Sequence, residues 1–305
     1  MNERPILVTG SHRSGSTWVG RMLAAAPSVA YIHEPFSIHH RRGVLDVHFD
    51  VWFPYICGAN EGPYLSPVRD MLAFRYRTDP EIRSIRSPRD AGRLLRDRTR
   101  FARARRAHAR PLVKDPIAVF SAEWLSSRFD VDPVVLVRHP AAFVSSLTRL
   151  GWTHPFEHFV SQPLLIRDLL DPFADEVHEF AAVEHPLLDQ AILLWKLIHH
   201  TIAGYRDRHP EWSFVRHEDL ARDPLGGFEK MYARLDLRST DHVERYIAQH
   251  SDASNPTEVR DAGALRRDSA SSVWTWKSRL SADEIARVRA GVGPIAKEFY
   301  DDDDW

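Results

Sequence analysis

Disulfides, membrane spans and a charge excess are all missing from this chain of 305 residues. The one cysteine, Cys57, excludes an intramolecular disulfide and a cysteine-based zinc site. No apolar run reaches the roughly 18 residues that a transmembrane helix requires, so no membrane-spanning segment is expected. A formal charge of −1 gives no overall attraction to nucleic acid or to anionic membranes. The opening MNERPILVTG has too few apolar residues for a signal-peptide core, and the expected compartment is the reducing cytoplasm.

A more telling absence is local. VTGSHRSGSTW, residues 8–18, resembles a phosphate-binding loop, G-x-x-x-x-G-K-[ST], from which the lysine has gone. Gly10, Gly15 and Thr17 are in register, Ser16 stands in the lysine position, and Arg13 lies inside the loop. Such a loop between a strand and a helix turns its N–H groups inward and adds the helix N-terminal partial charge, which together bind an anion. Without the lysine, a nucleoside triphosphate with Mg²⁺ fits poorly. The later strand VVLVRHP ends in Arg138, where an NTPase needs an acidic metal ligand.

Short apolar runs alternating with helical patterns predict βαβ units around a mostly parallel sheet. Strands are expected at 5–9, 29–34, 111–115, 133–138 and within 212–220. Helices are expected at 16–26, 117–128 and 281–300, the last with Ser281 and Glu284 as a capping box. Two insertions, 36–110 and 151–210, are read as mainly helical acceptor-side segments of a single domain spanning 1–305. The first turns strongly basic, with fourteen arginines against five acids between Arg69 and Arg110. The closing DDDDW reads as a frayed acidic tail.

At this point the chain resembles the sulfotransferases that use 3′-phosphoadenosine-5′-phosphosulfate (PAPS). HRSGSTW is similar to their 5′-phosphosulfate loop and RHPAAFVSS (138–146) to their 3′-phosphate motif. The stretch LVKDPIAVFSAEWLSSRFDVDPVVLVRHP (112–140) resembles tyrosylprotein sulfotransferases, and FVRHEDLARDP (214–224) a strand end common in the superfamily. The motifs leave both insertions uncovered. The resemblance implies a P-loop-like three-layer α/β fold, no metal, and transfer of a sulfuryl group from PAPS to a hydroxyl, releasing adenosine 3′,5′-bisphosphate. A nucleotide kinase or NTPase, or a non-catalytic protein that binds the bisphosphate, is the alternative.

Residue roles follow from the same resemblance. Arg13, Ser14, Gly15, Ser16 and Thr17 would hold the 5′ phosphate, Trp18 would stack on adenine, and Arg138 with Ser146 would grip the 3′ phosphate. Arg266, Arg267 and Lys277 lie where the family closes a basic loop over the donor. Glu34, at the carboxyl end of the second strand beside the cradle, is the expected base. His33 is its rival, since small-molecule sulfotransferases use a histidine, and strand alternation would let only one of the two face the site. Lys114 matches the lysine that steadies the transferring group. Partners are a hydroxyl-bearing acceptor, with an anionic glycan or lipid among the classes, and no nucleic acid. HPFEH (154–158) fits a zinc-protease pattern but lacks a third ligand, and Pro155 breaks its helix. His39–His40 and His199–His200 are expected at the surface or partly packed.

Overall fold

The computed structural model describes residues 4–256 and 268–305. Its sheet has five parallel strands: β1 (Ile6–Gly10), β2 (Val29–His33), β3 (Arg110–Lys114), β4 (Asp132–Val137) and β5 (Ser213–Arg216). They lie in the order β2-β3-β1-β4-β5, with Val8 beside Lys114 and Gly10 beside Leu136. Ile6, Leu7 and Val8 are all fully buried, as an apolar strand covered on both faces must be. The helices that frame the site are α1 (Ser16–Leu23), α2 (Pro88–Arg106), α3 (Pro140–Leu150), α4 (Leu187–Arg208), α5 (Pro224–Arg234), α6 (Asp241–Ser251) and α7 (Ala282–Lys297).

Side-chain alternation sorts these elements into three layers. Ile6, Val8, Leu112, Val134 and Leu136 point to one face, where α1, α5 and α6 pack through Val19, Phe228 and Val243. Leu7, Ile32, Val113, Val135 and Val137 point to the other, covered by α3, α4 and α7 through Phe143, Trp195 and Val288. Each such fully buried side chain contributes about 1.5–3 kcal/mol by leaving water. The expected parallel α/β sheet is what forms, and Ser281 and Glu284 make the expected capping box.

Three expectations need correction. The first insertion is not helical at its start: helix and strand are absent from 36–61, and regular helix begins at Gly62–Leu72. Some of its backbone donors close local turns and others go to side chains. Trp52 N–H donates to His158 Nδ1 (3.0 Å), Tyr55 N–H to Gln162 Oε1 (2.7 Å) and Ile56 N–H to Ser121 Oγ (3.0 Å), which fastens the two insertions together. The acidic tail is not frayed. Asp304 pairs with Arg216 at 2.7 Å, Asp302 pairs with Arg289, and the Trp305 ring lies 4.6 Å from that of His139. His199 is not at the surface; it is fully buried and stacked on Trp195, with ring centroids 3.9 Å apart.

No helix among the described residues is long and apolar enough to cross a membrane.

Candidate active site

Four of the five strands, β1, β2, β4 and β5, lead into polar residues that line one cleft at the carboxyl end of the sheet, the position at which open parallel sheets bind ligands. The cleft has a volume of about 930 Å³. β1 runs into the loop 10–15, which turns sharply: Gly10 has φ +133°, Arg13 +62° and Gly15 +85°. A Cβ on Gly10 would lie 2.2 Å from the Leu136 carbonyl oxygen, and one on Gly15 would lie 2.6 Å from His217 Nδ1, so both positions require glycine. Gly15 caps α1, and Arg13, Ser16, Thr17 and Trp18 line the cleft. Ser14 does not; it is buried, and its hydroxyl donates to the Ser11 carbonyl at 2.5 Å, holding the turn.

The motif after β4 meets this loop. Arg13 Nε donates to Ser146 Oγ at 3.1 Å, and the Arg138 guanidinium donates to the Arg13 carbonyl. Trp195 Nε1 in turn donates to the Arg138 carbonyl at 2.9 Å. Arg138 and Ser146 both line the cleft, and buried Ser145 does not. Trp18 packs edge-on against Phe228 (5.2 Å) and His217 (6.0 Å).

On the opposite wall, Glu34 follows β2 with φ +42°, so strand alternation no longer holds there. Both His33 and Glu34 therefore face the cleft, 3.9 Å apart, against the expectation that one would turn away. Burial and then the Lys114 charge hold the His33 imidazole below its usual range. Lys114 is 0% exposed, and its ammonium meets the Glu34 carboxylate instead of the open cleft. Asp115 fixes the chain on both sides of this pair: its carboxylate accepts from Phe36 N–H (2.6 Å) and Ile117 N–H (3.2 Å). Burial pushes its carboxyl up to about 7.

Arg266 and Arg267 lie outside the described residues. Lys277 lies apart from the cleft: its ammonium donates to the Trp305 carbonyl at 2.7 Å and sits over the Trp274 ring. Arg279, two residues on, lines the cleft together with Ser272 and Thr275. Other cleft residues passed unmarked in the sequence. His217 follows β5 directly, and the strand-end rule could have singled it out. Trp152, His12, Phe53 and Trp52 form an aromatic wall that tertiary packing assembles. His12 lies 5.7 Å from Phe53 and 6.4 Å from Trp152, and Arg13 lies over Trp152 at 5.7 Å. His39, exposed, and His40, partly buried, are at the surface or partly packed as expected, and both line the cleft. Among the described residues no group of three or more His, Cys, Asp or Glu is placed to hold a metal ion.

A parallel sheet with a glycine loop after β1, an arginine after β4 and a carboxylate after β2 is an arrangement of the P-loop-like fold class. Residues 5–242 match the sulfotransferase family, and the chain belongs to that family. Carbohydrate sulfotransferase 1 of Homo sapiens is 36% identical over 76 residues, 25% of this chain and 18% of that protein. The Rattus norvegicus protein gives the same figures, so the chain spans less than a fifth of the curated relatives it matches. Among solved structures, the sulfotransferase domain from the Synechococcus PCC 7002 olefin synthase is 18% identical with a TM-score of 0.51, over 98% of this chain and 97% of that one. That likeness shows the shared fold.

Proposed function

We propose that this chain moves a sulfuryl group from PAPS to a hydroxyl acceptor in the cytoplasm, releasing adenosine 3′,5′-bisphosphate. One observation carries the reading. Arg13 and Ser146, 133 positions apart in the chain, are hydrogen-bonded to each other at the rim of the cradle, with Arg138 on the Arg13 carbonyl. That contact brings together two anion-binding motifs, as a nucleotide with phosphate at both ribose ends requires. The guanidinium forks suit phosphate oxygens bidentately. The match to the sulfotransferase family supports the same donor.

The donor supplies an activated sulfuryl group whose transfer shifts negative charge onto the departing 5′-phosphate oxygen. The amides of loop 10–15, Arg13, Ser16 and Thr17 stabilise that charge, and loss of one such donor costs about 100- to 1,000-fold in rate. Arg138 and Ser146 hold the 3′ phosphate, Trp18 offers its face to the adenine, and Arg279 closes over the nucleotide. By the family resemblance, Arg266 and Arg267 would help to hold the donor. Glu34 takes the acceptor proton. Lys114, bonded behind it, holds the carboxylate in place as the base. His33, at the same mouth, orients the acceptor. The wall of Trp152, Phe53 and Trp52 stacks against an acceptor ring, as aromatic walls do for sugars and phenols alike.

A thermal-shift comparison tests the donor. Adenosine 3′,5′-bisphosphate is expected to raise the melting temperature, and ATP with Mg²⁺ to leave it unmoved; the reverse order overturns the assignment.

A further inference from the structure

A second cavity, of about 810 Å³, lies on the first insertion, between α2 and the turn that follows helix Gly62–Leu72. Its floor is aromatic: Phe74 and Tyr76 both pack edge-on against Phe101, each with centroids 5.6 Å apart. Its rim is cationic. Arg98, Arg105 and Arg106 stand at i, i+7 and i+8 of α2 and share one face. Arg75 and Arg77 face them from the turn. One acid, Asp70, serves this rim and is already bonded to Arg75 (3.1 Å) and to Arg77. Arg98, Arg105 and Arg106 have no side-chain partner among the described residues, whereas Arg41, Arg93 and Arg96 each meet an acid. Gathering three unpaired guanidinium groups around a hollow is self-repulsive, and an anion placed there relieves it.

This cavity and the transfer cleft share a thin wall. Arg41 and Val44 line the cleft, and between them Gly43 lies against Tyr76 so closely that a Cβ would be 2.3 Å from the ring. Arg77 N–H donates to the Gly43 carbonyl at 2.9 Å, and Glu81 accepts from both Arg41 and the Gly43 N–H. The backbone 41–44 therefore has the cleft on one side and the arginine cavity on the other. A ligand that crosses this ridge can present a hydroxyl to Glu34 while another of its groups sits among the arginines.

We propose that the arginine cavity is an anchoring site for an acidic saccharide chain, whose sulfate or carboxylate groups dock there while a hydroxyl further along enters the cleft. The inference rests on the sulfuryl-transfer reading and deepens it by naming the acceptor class. Charge complementarity points to an anion, and guanidinium forks pair bidentately with sulfate and carboxylate. Tyr76, only partly buried, is the aromatic side chain within reach of a sugar ring, with Phe74 and Phe101 buried beneath it.

The test is calorimetric titration of the full chain with a sulfated uronic acid–glucosamine hexasaccharide. Saturable binding is expected. The variant Arg98→Ala/Arg105→Ala/Arg106→Ala should bind about tenfold or more weakly, with a shallower salt dependence. A control of equal charge, Arg83→Ala/Arg86→Ala/Arg89→Ala, removes exposed arginines outside the cavity and should change affinity less than about twofold. Equal losses in both variants, no saturable binding, or tighter binding of an acidic peptide or of phosphatidylserine vesicles each overturn the proposal. Adenosine 3′,5′-bisphosphate affinity, measured alongside, should be the same in all three proteins. Failure of that ligand to bind strikes the donor assignment, whereas failure of the hexasaccharide with the bisphosphate still bound strikes the anchoring site alone.

Discussion

Glu34 sits where two constraints meet. Its φ of +42° takes it out of the strand, and a fully buried ammonium behind it holds its carboxylate toward the cleft. Glu34→Gln keeps the shape and the hydrogen-bonding oxygen while removing the base. It should lower kcat by about 100- to 10,000-fold and leave adenosine 3′,5′-bisphosphate affinity within about twofold, measured by initial rates and by titration. An active Glu34→Gln alongside an inactive His33→Asn would move the role to the imidazole, which lies 3.9 Å away on the same wall. Strand alternation predicted that only one of the two would face the site, and alternation stops at His33 because the chain turns left-handed at the next residue. A positive φ at a glutamate has no signature in composition or periodicity; it is imposed by the Glu34 N–H bond to the Lys114 carbonyl (2.8 Å) and by the Asp115 clamp on Phe36.

At the scale of elements, the strand-turn-helix unit β1–α1 is the part of the site that one short motif specifies. Gly15 matters there for two separate reasons. Its φ of +85° is costly for any side chain, and the space beside it is taken by the His217 ring from the far end of the sheet. Gly15→Ala should destabilise the fold by about 1–3 kcal/mol and weaken adenosine 3′,5′-bisphosphate binding by about tenfold, read from urea midpoints and titration on the same preparation. Unchanged nucleotide affinity would mean that the loop does not hold the ligand through its backbone. The segment 36–61 shows the opposite behaviour. It has no period to read: local turns take some of its N–H groups, and those of Trp52, Tyr55 and Ile56 go to His158, Gln162 and Ser121, more than 60 positions away. The aromatic wall of the cleft was illegible for that reason. Lys277 and Arg279 differ similarly: both are basic residues of one segment, and only the fold puts Arg279 at the cleft and Lys277 on the C-terminal tail.

For the molecule as a whole, buried ionisable groups set the response to pH. Burial pushes His12, His139 and His199 down to about 3, and His154 well below its usual range. The unfolded chain takes up protons on these imidazoles as pH falls through about 6.5, and the native state does not, so each removes stability on acidification. Asp115 acts in the other direction. With its carboxyl raised from 3.8 to about 7, it contributes most below 3.8 and loses that contribution as pH rises through 7. Glu218, also raised by burial, follows the same sense. Four imidazoles outweigh two carboxyls, so the urea midpoint should be lower at pH 5 than at pH 7.5. Asp115→Asn removes one opposing contribution and should widen that difference; a narrower one would contradict the assignment.

The sequence by itself determined the strands, the helix that follows the first of them, the capping box of α7 and the two short motifs whose residues line the cleft. All of these depend on residues close together in the chain: apolar runs, punctuating glycine and proline, and short polar patterns. Only the tertiary structure decided that Arg13 meets Ser146, that Lys114 stands behind Glu34, that His33 and Glu34 share a wall, and that an arginine cavity adjoins the cleft. Those contacts join segments separated by tens to more than a hundred residues, and their geometry is set by strand order and packing, which local pattern does not encode.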